Sequence, residues 1–301
     1  MQLDLLTGMN RALDYIEAHM TEPLKTEDIA RQAYLSPYYF HRLFGVICGC
    51  TLGEYIRRRR LTLAAVELSV HKMKVIDAAY QYGYESPDSF CKAFTKFHGV
   101  TPSAAREPGA KLKMFTPLTV KITKKGGSTM NYRIEQRESS VLIGYKRRFS
   151  GVPGERAEQE EAFFVQTREE QALLHNLAND LDTQMAVITH VDEEGYDFYI
   201  AAEPAAPSYS PLGKGELLNA QVDEPFERLV IPAKTYAVFE TPKNRYPTLF
   251  HLSLRHQIFT EWFPLSGYTL ADAPEMIVYH WYGAPNKENR YIELYIPVEK
   301  S

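Results

Sequence analysis

The chain has 301 residues, 45% of them hydrophobic and 24% charged, which is the make-up of a globular protein with enough apolar material for about two cores. Its net charge of −4 is unevenly divided: residues 1–125 carry 18 Lys and Arg against 12 Asp and Glu, and the remainder carries 16 against 26. Asp4, Asp14 and Glu17 stand where a secretion signal would be basic and then apolar, and no stretch approaches the roughly 18 apolar residues of a membrane span, so a cytoplasmic protein is expected, with a basic half suited to a polyanion and an acidic half that a polyanion would repel.

In chain order, Leu5, Leu6, Met9, Leu13 and Ile16 form a helical stripe over residues 4–19. Thr26 followed by Glu27, Asp28, Ile29, Ala30 and Ala33 predicts a short capped helix with its acids in the first turn. Ser36 is then an N-cap and Pro37 the first residue of a helix reaching about Ile47, because proline at that position loses no hydrogen bond. Phe40, Leu43, Phe44 and Ile47 share one face of it and leave Pro37, Tyr38, His41 and Arg42 outward. A short helix, a tight turn and a second helix with a cationic outer face describe a helix-turn-helix.

The same skeleton recurs fifty residues later. "SPYYFHRLFGVICGCT" begins at Ser36 and "SPDSFCKAFTKFHGVT" at Ser86, matching Ser, Pro, two Phe, Gly and Thr. Val75, Ile76, Ala78 and Ala79 supply the first helix of this second copy, and Gly83 and Tyr84 its turn. Phe90, Ala93, Phe94 and Phe97 face inward and Asp88, Cys91 and Lys92 outward. Between the copies a continuous helix is predicted from about Gly53 to Ser69, holding two reading heads at one separation. Successive major grooves lie about 34 Å apart on one face of B-DNA, so a monomer suffices to enter both. The run Arg57 to Arg60 on the connecting helix suits phosphate contact, although such a run is also what a solvated helix face looks like. Cys48, Cys50 and Cys91 are too few and too irregular for a disulfide framework or a four-ligand zinc site.

Pro117 and the cluster Gly126, Gly127 and Ser128 mark a linker over 111–129 between a domain at 1–110 and another at 130–301. Beyond it the periodicity becomes alternating. "SVLIGYKRRF" predicts a strand, "EQEEAFFVQTREEQALLHNLA" a helix, and "MAVITHV" and "YDFYIAA" two strands. The order then repeats with "TYAVFE", "TLFHLSLRHQIFTEWF", "EMIVYHW" and "RYIELYIPV". The expected fold is thus an all-α double helix-turn-helix domain joined to an α+β domain of two pseudo-symmetric strand-helix-strand-strand units. In the last strand Tyr291, Glu293 and Tyr295 share a face, and in the one before it Glu275, Ile277, Tyr279 and Trp281 do. Together they suggest carboxylates among aromatic rings, a setting that favours flat or cationic ligands if enclosed, and is an ordinary wet strand face if not.

Two resemblances sharpen this reading. "TLGEYIRRRRLTLAAVEL" with "VIDAAYQYGYESPDSFCKAFTKFHGVTP" resembles the AraC/XylS family of bacterial transcription regulators over roughly residues 8–107. The N-terminal placement of that domain is similar to the Rob subgroup. The resemblance implies base or phosphate contacts for Tyr38, His41 and Arg42 in the first recognition helix, and for Asp88, Cys91 and Lys92 in the second. Arg57, Arg58 and Thr101 are expected at the DNA backbone, and RNA polymerase is implied as a partner. "IPAKTYAVFE", "IFTEWFPLSGY" and "RYIELYIPV" resemble the GyrI-like effector-binding domain, which implies that Glu293 and Trp262 border a small-molecule cavity. Glu275, Tyr145, Tyr199, Tyr268 and Tyr295 are further candidates.

Three functions stay open: a ligand-responsive transcription regulator, activator rather than repressor; a GyrI-like hydrolase using Glu293 as base; or a DNA-bound adaptor whose acidic half holds a protein. No metal-ligand cluster, G-x-S-x-G elbow or phosphate-cradling glycine loop is present in the sequence, so neither catalysis nor a metal or other cofactor is expected.

Overall fold

The computed structural model describes residues 5–120, 130–150, 155–205, 225–281 and 286–300. The chain divides into two compact units, Met1–Thr123 and Lys124–Ser301.

The first unit is helical: α1 (Leu5–Ala18), α2 (Thr26–Gln32), α3 (Pro37–Cys48), α4 (Leu52–Ser69), α5 (Val75–Gln81) and α6 (Pro87–His98), then a 3₁₀ turn at Ala104–Arg106. Phe40, Leu43 and Phe44 of α3 are fully buried, as are Phe90 and Phe94 of α6, so the repeated phenylalanines are core residues. Lys25 rather than Thr26 caps α2, and without a side-chain bond. Helix α4 serves both copies. Its Tyr55 packs edge-on against Phe44, and its Leu61, Ala64, Ala65 and Leu68 pack with Ala78, Ala79, Phe90 and Phe94.

The expected linker begins later than its composition suggests. Phe115 N donates to Thr62 Oγ1 at 3.1 Å, Leu118 N to Tyr55 OH at 3.3 Å, and Val120 N to Asn10 Oδ1 at 2.9 Å. Residues up to Val120 are therefore strapped along α4 and α1; the Gly126, Gly127, Ser128 cluster lies outside the described residues.

The second unit is an antiparallel sheet with helices. Its elements are β1 (Tyr132–Arg137), β2 (Ser140–Ser150), α7 (Arg156–Gln166), α8 (Arg168–Leu177), β3 (Thr183–Thr189), β4 (Gly195–Ala202), β5 (Glu227–Ile231) and β6 (Lys234–Glu240). There follow α9 (Thr248–Gln257), a π turn at Ile258–Trp262, α10 (Phe263–Ser266), β7 (Tyr268–Leu270), β8 (Glu275–His280) and β9 (Tyr291–Lys300). The strand order is β1-β6-β9-β8-β3-β4-β2-β5, with β7 on β9.

Both long helices expected here are interrupted. Thr167 separates α7 from α8, its Oγ1 bonded to Phe163 O at 2.7 Å and to Tyr145 OH at 3.0 Å. The π turn after α9 inserts an extra residue and rotates Trp262 onto the sheet, which hydrophobic periodicity does not register. One sheet face is covered by α7, whose Phe163 and Phe164 pack on Phe149, Phe198 and Tyr279, and by α9, whose Arg255 binds Glu275. On the other, Leu229 of β5 and Tyr236 and Val238 of β6, from opposite ends of the sheet, join one buried cluster with Val187, Tyr199, Met276 and Tyr295. The sheet therefore curls around this inner face.

Candidate functional site

The two recognition-type helices are built alike. Ser36 Oγ accepts from Tyr39 N and Ser86 Oγ from Ser89 N, each at 3.2 Å, and each helix stops at a left-handed glycine, Gly49 or Gly99. The turn before α6 holds Gly83 at φ +80°, where the turn before α3 holds Tyr34 at φ +57°. Backbone bonds close both turns identically, Leu35 N to Ala30 O and Tyr84 N to Ala79 O.

On α6, Asp88 and Lys92 are exposed and Cys91 half-buried; on α3, Tyr38 and His41 are half-buried. Arg42 departs from expectation. It is only 3% exposed, with Nη1 at 3.4 Å from Tyr38 OH and the guanidinium 5.8 Å from that ring, so it lies folded against the helix instead of projecting from it. Thr101 Oγ1 accepts from Ala104 N, the capping role that Thr51 plays for Glu54 N at the head of α4.

The arginine run splits in the same way. Arg59 is buried and grips both carboxylate oxygens of Glu17, at 2.8 and 2.7 Å, and Phe115 O at 2.7 Å. Arg60 donates to Met20 O and Glu22 O, and its guanidinium lies where a Cβ on Gly83 would sit, 2.6 Å from Nη1. Arg58 bonds Glu54 at 2.5 Å. Arg57 alone of the four is exposed, contacting the buried Glu54 at 3.1 Å from the solvent side.

In the sheet unit, register divides the expected effector residues between two faces. Glu293 pairs with Val278 and Tyr295 with Met276, which puts Glu275 on the opposite face from Glu293. The two carboxylates, each grouped with its own strand's aromatic residues by alternation, therefore do not share a face. Glu275, 1% exposed, binds Arg255 of α9 at 2.5 Å beneath the helices. Tyr145 is on that side too, its hydroxyl committed to Thr167. Trp262 packs there against Tyr132, Phe239 and Phe263 and stacks on Tyr268. Glu275, Tyr145, Trp262 and Tyr268 thus lie on the helix-covered face of the sheet, opposite the face that carries Glu293.

Glu293, Tyr295 and Tyr199 are on the inner face. Glu293 Oε1 accepts from Arg133 Nη1 at 2.7 Å; Oε2 contacts His280 Nε2 at 2.9 Å and accepts from Tyr295 OH at 3.3 Å. Arg133 Nη2 donates to Tyr295 OH at 3.1 Å, while the Arg137 guanidinium lies 5.2 Å from the Tyr295 ring and pairs with Glu203. His280 stacks on Tyr291 at 4.1 Å. Burial pushes the Glu293 carboxyl up, but the bonds from His280 and Arg133 outweigh it and hold the pKa below 4.5. Across the same face Lys146 donates to Tyr199 OH at 3.1 Å. Arg133, Arg137 and His280 were missed from sequence, although Arg133, Glu135 and Arg137 alternate with Tyr132 and Ile134 in "YRIEQR", the mark of a charged strand face.

A duplicated helix-turn-helix on one connecting helix, joined to a sheet with a charged aromatic inner face, defines a DNA-binding protein with a small-molecule-type domain. Comparison with known proteins makes the class specific. The "Helix-turn-helix domain" family matches residues 29–108 and the "Integron-associated effector binding protein" family residues 133–298. The transcriptional activator AarP of Providencia stuartii is 40% identical over 98 residues, spanning 33% of this chain and 73% of that protein. The regulatory protein SoxS of Salmonella typhimurium is 38% identical over 94 residues, 31% of this chain and 88% of SoxS. An integron cassette protein from the mobile metagenome of Vibrio cholerae, a solved structure, is 14% identical over 56% of this chain and 95% of its own, with a TM-score of 0.36. The chain belongs to the AraC-type helix-turn-helix regulators through its first half and to the integron-associated effector binding proteins through its second. It is a DNA-binding transcriptional regulator carrying an effector-binding domain.

Proposed function

We propose that the protein activates transcription as a monomer on DNA, with α3 and α6 in successive major grooves, RNA polymerase as partner, and a lipophilic aromatic cation as effector on the inner face of the sheet. The observation that carries this reading is the pair of identically capped helices anchored on α4. Tyr38 and His41 on α3 and Asp88, Cys91 and Lys92 on α6 face the bases, and Arg57 a phosphate. Arg42 reaches a guanine edge only by leaving Tyr38, a change of rotamer that makes the first head an induced-fit reader. Activation is favoured by the likeness to AarP, an activator.

The strand order supports an internal duplication. β2 lies between β4 and β5, as β6 lies between β9 and β1, and "DFYI" at 197–200 corresponds to "ELYI" at 293–296. Glu293 is the effector's anionic partner in this reading. A carboxylate bonded to Arg133 and held below its ordinary pKa is a weak general base, which favours a receptor over a hydrolase.

The test is calorimetry of the full chain with a panel of aromatic cations and neutral isosteres, alongside specific-site binding at several salt concentrations. Cation binding that Glu293→Gln weakens more than isostere binding supports the reading; equal losses refute it.

A further inference from the structure

The acceptors around Glu293 are already engaged by the protein's own cation. Arg133 sits on β1, which is hydrogen-bonded only to β6 among the described strands, and its side chain is 43% exposed. It presents one planar N–H edge to two acceptors, Nη1 to Glu293 Oε1 and Nη2 to Tyr295 OH. Two more carboxylates, Glu240, which is exposed, and Glu135, which is half-buried, stand at 3.3 Å from the same guanidinium. His280, the other nitrogen partner of Glu293, is stacked on Tyr291 within β8 and β9.

We propose that Arg133 is the resident cation of the effector subsite, that an effector enters by exchanging with it, and that the subsite therefore selects planar N–H-bearing cations, amidinium or guanidinium groups on an aromatic body, over quaternary cations of similar size. The inference rests on the reading of Glu293 as effector ligand. Arg133 shows what the subsite accepts: two N–H donors in one plane, spaced to reach a carboxylate oxygen and a phenol oxygen together. An amidinium reproduces both bonds. A quaternary ammonium supplies charge but no donor; evicting Arg133 would leave Glu293 Oε1, at a residue only 7% exposed, without its donor, and Tyr295 with only its own bond to Glu293 Oε2, so such a ligand leaves Arg133 in place. On exchange Arg133 keeps its contacts to Glu240 and Glu135, so its departure strands no charge. It acts as an intramolecular competitor that lowers the apparent affinity only of ligands that must evict it to take over its two N–H bonds.

The experiment is calorimetry on the full chain with benzamidine and phenyltrimethylammonium, comparing wild type, Arg133→Ala and Arg133→Gln, each with and without Glu293→Gln, with circular dichroism confirming that each variant is folded. Loss of the competitor is expected to tighten benzamidine at least about tenfold and phenyltrimethylammonium by less than about threefold, and Glu293→Gln should abolish the gain. Binding that depends on Glu293 but is unchanged by either Arg133 substitution, or that tightens equally for both compounds, overturns the exchange while leaving the effector reading intact. Absence of any Glu293-dependent cation binding in all folded variants overturns both.

Discussion

Replacing Glu17 by Gln tests whether the arginine run is mainly scaffold. The substitution keeps the shape but removes the charge that Arg59, 7% exposed in its side chain, grips with two bonds. Breaking a buried pair from one side costs about 3–5 kcal/mol, and because Glu17 is itself partly exposed the lower end applies, about 3 kcal/mol. Urea titration followed by circular dichroism should show that loss in the helical unit. DNA binding by the folded protein, followed by fluorescence anisotropy across salt concentrations, should keep its slope both in Glu17→Gln and in Arg59→Met. Arg57→Ala should behave oppositely, lowering the slope of log affinity against log salt by about 0.9 while stability stays within about 0.5 kcal/mol. If Arg59→Met flattened the salt slope as much as Arg57→Ala without destabilising the unit, Arg59 would be a phosphate ligand and the reasoning would fail.

The two turns give a matched pair of substitutions. Tyr34→Gly relieves a left-handed, largely exposed tyrosine and should stabilise by about 1 kcal/mol, whereas Gly83→Ala meets Arg60 Nη1 at a positive φ and should cost more than about 1 kcal/mol, both readable by urea midpoint. Acid stability should depend on Glu160. Burial raises its carboxyl, but the neighbouring Arg156 dominates and brings the pKa to about 2, below the ordinary 4.5. A depressed native pKa means that the unfolded chain binds the proton first as pH falls. The contribution is therefore present above about 4.5 and lost toward 2, on the order of 3 kcal/mol. Glu160→Gln should flatten the stability profile in that window; an unchanged acid limb would contradict the assignment.

Much of the helical unit was legible because its signals are local. Serine caps, a proline at N1, the phenylalanine spacing and the final glycines all act within one or two turns, and duplication states them twice. What periodicity left out was the fate of long side chains: it put Arg42 outward, but a guanidinium lies down on a tyrosine one turn away. In the sheet unit alternation correctly grouped Tyr291, Glu293 and Tyr295, and correctly grouped Glu275 with Tyr279. It carries no information on how neighbouring strands are offset, and the pairing of Val278 with Glu293 placed the two groups on opposite faces.

The central claim is that one chain reads two adjacent major grooves and responds to a cation. Hydroxyl-radical footprinting of the 301-residue chain on a site chosen by genome-wide binding selection, at measured stoichiometry with and without an aromatic cation, tests it most directly. One protein per site, protecting two segments about ten base pairs apart on one face of the duplex, with binding or transcription from that site altered by the cation, is expected. A single protected segment, two proteins per site, or complete indifference to cations that bind at Glu293 would contradict it.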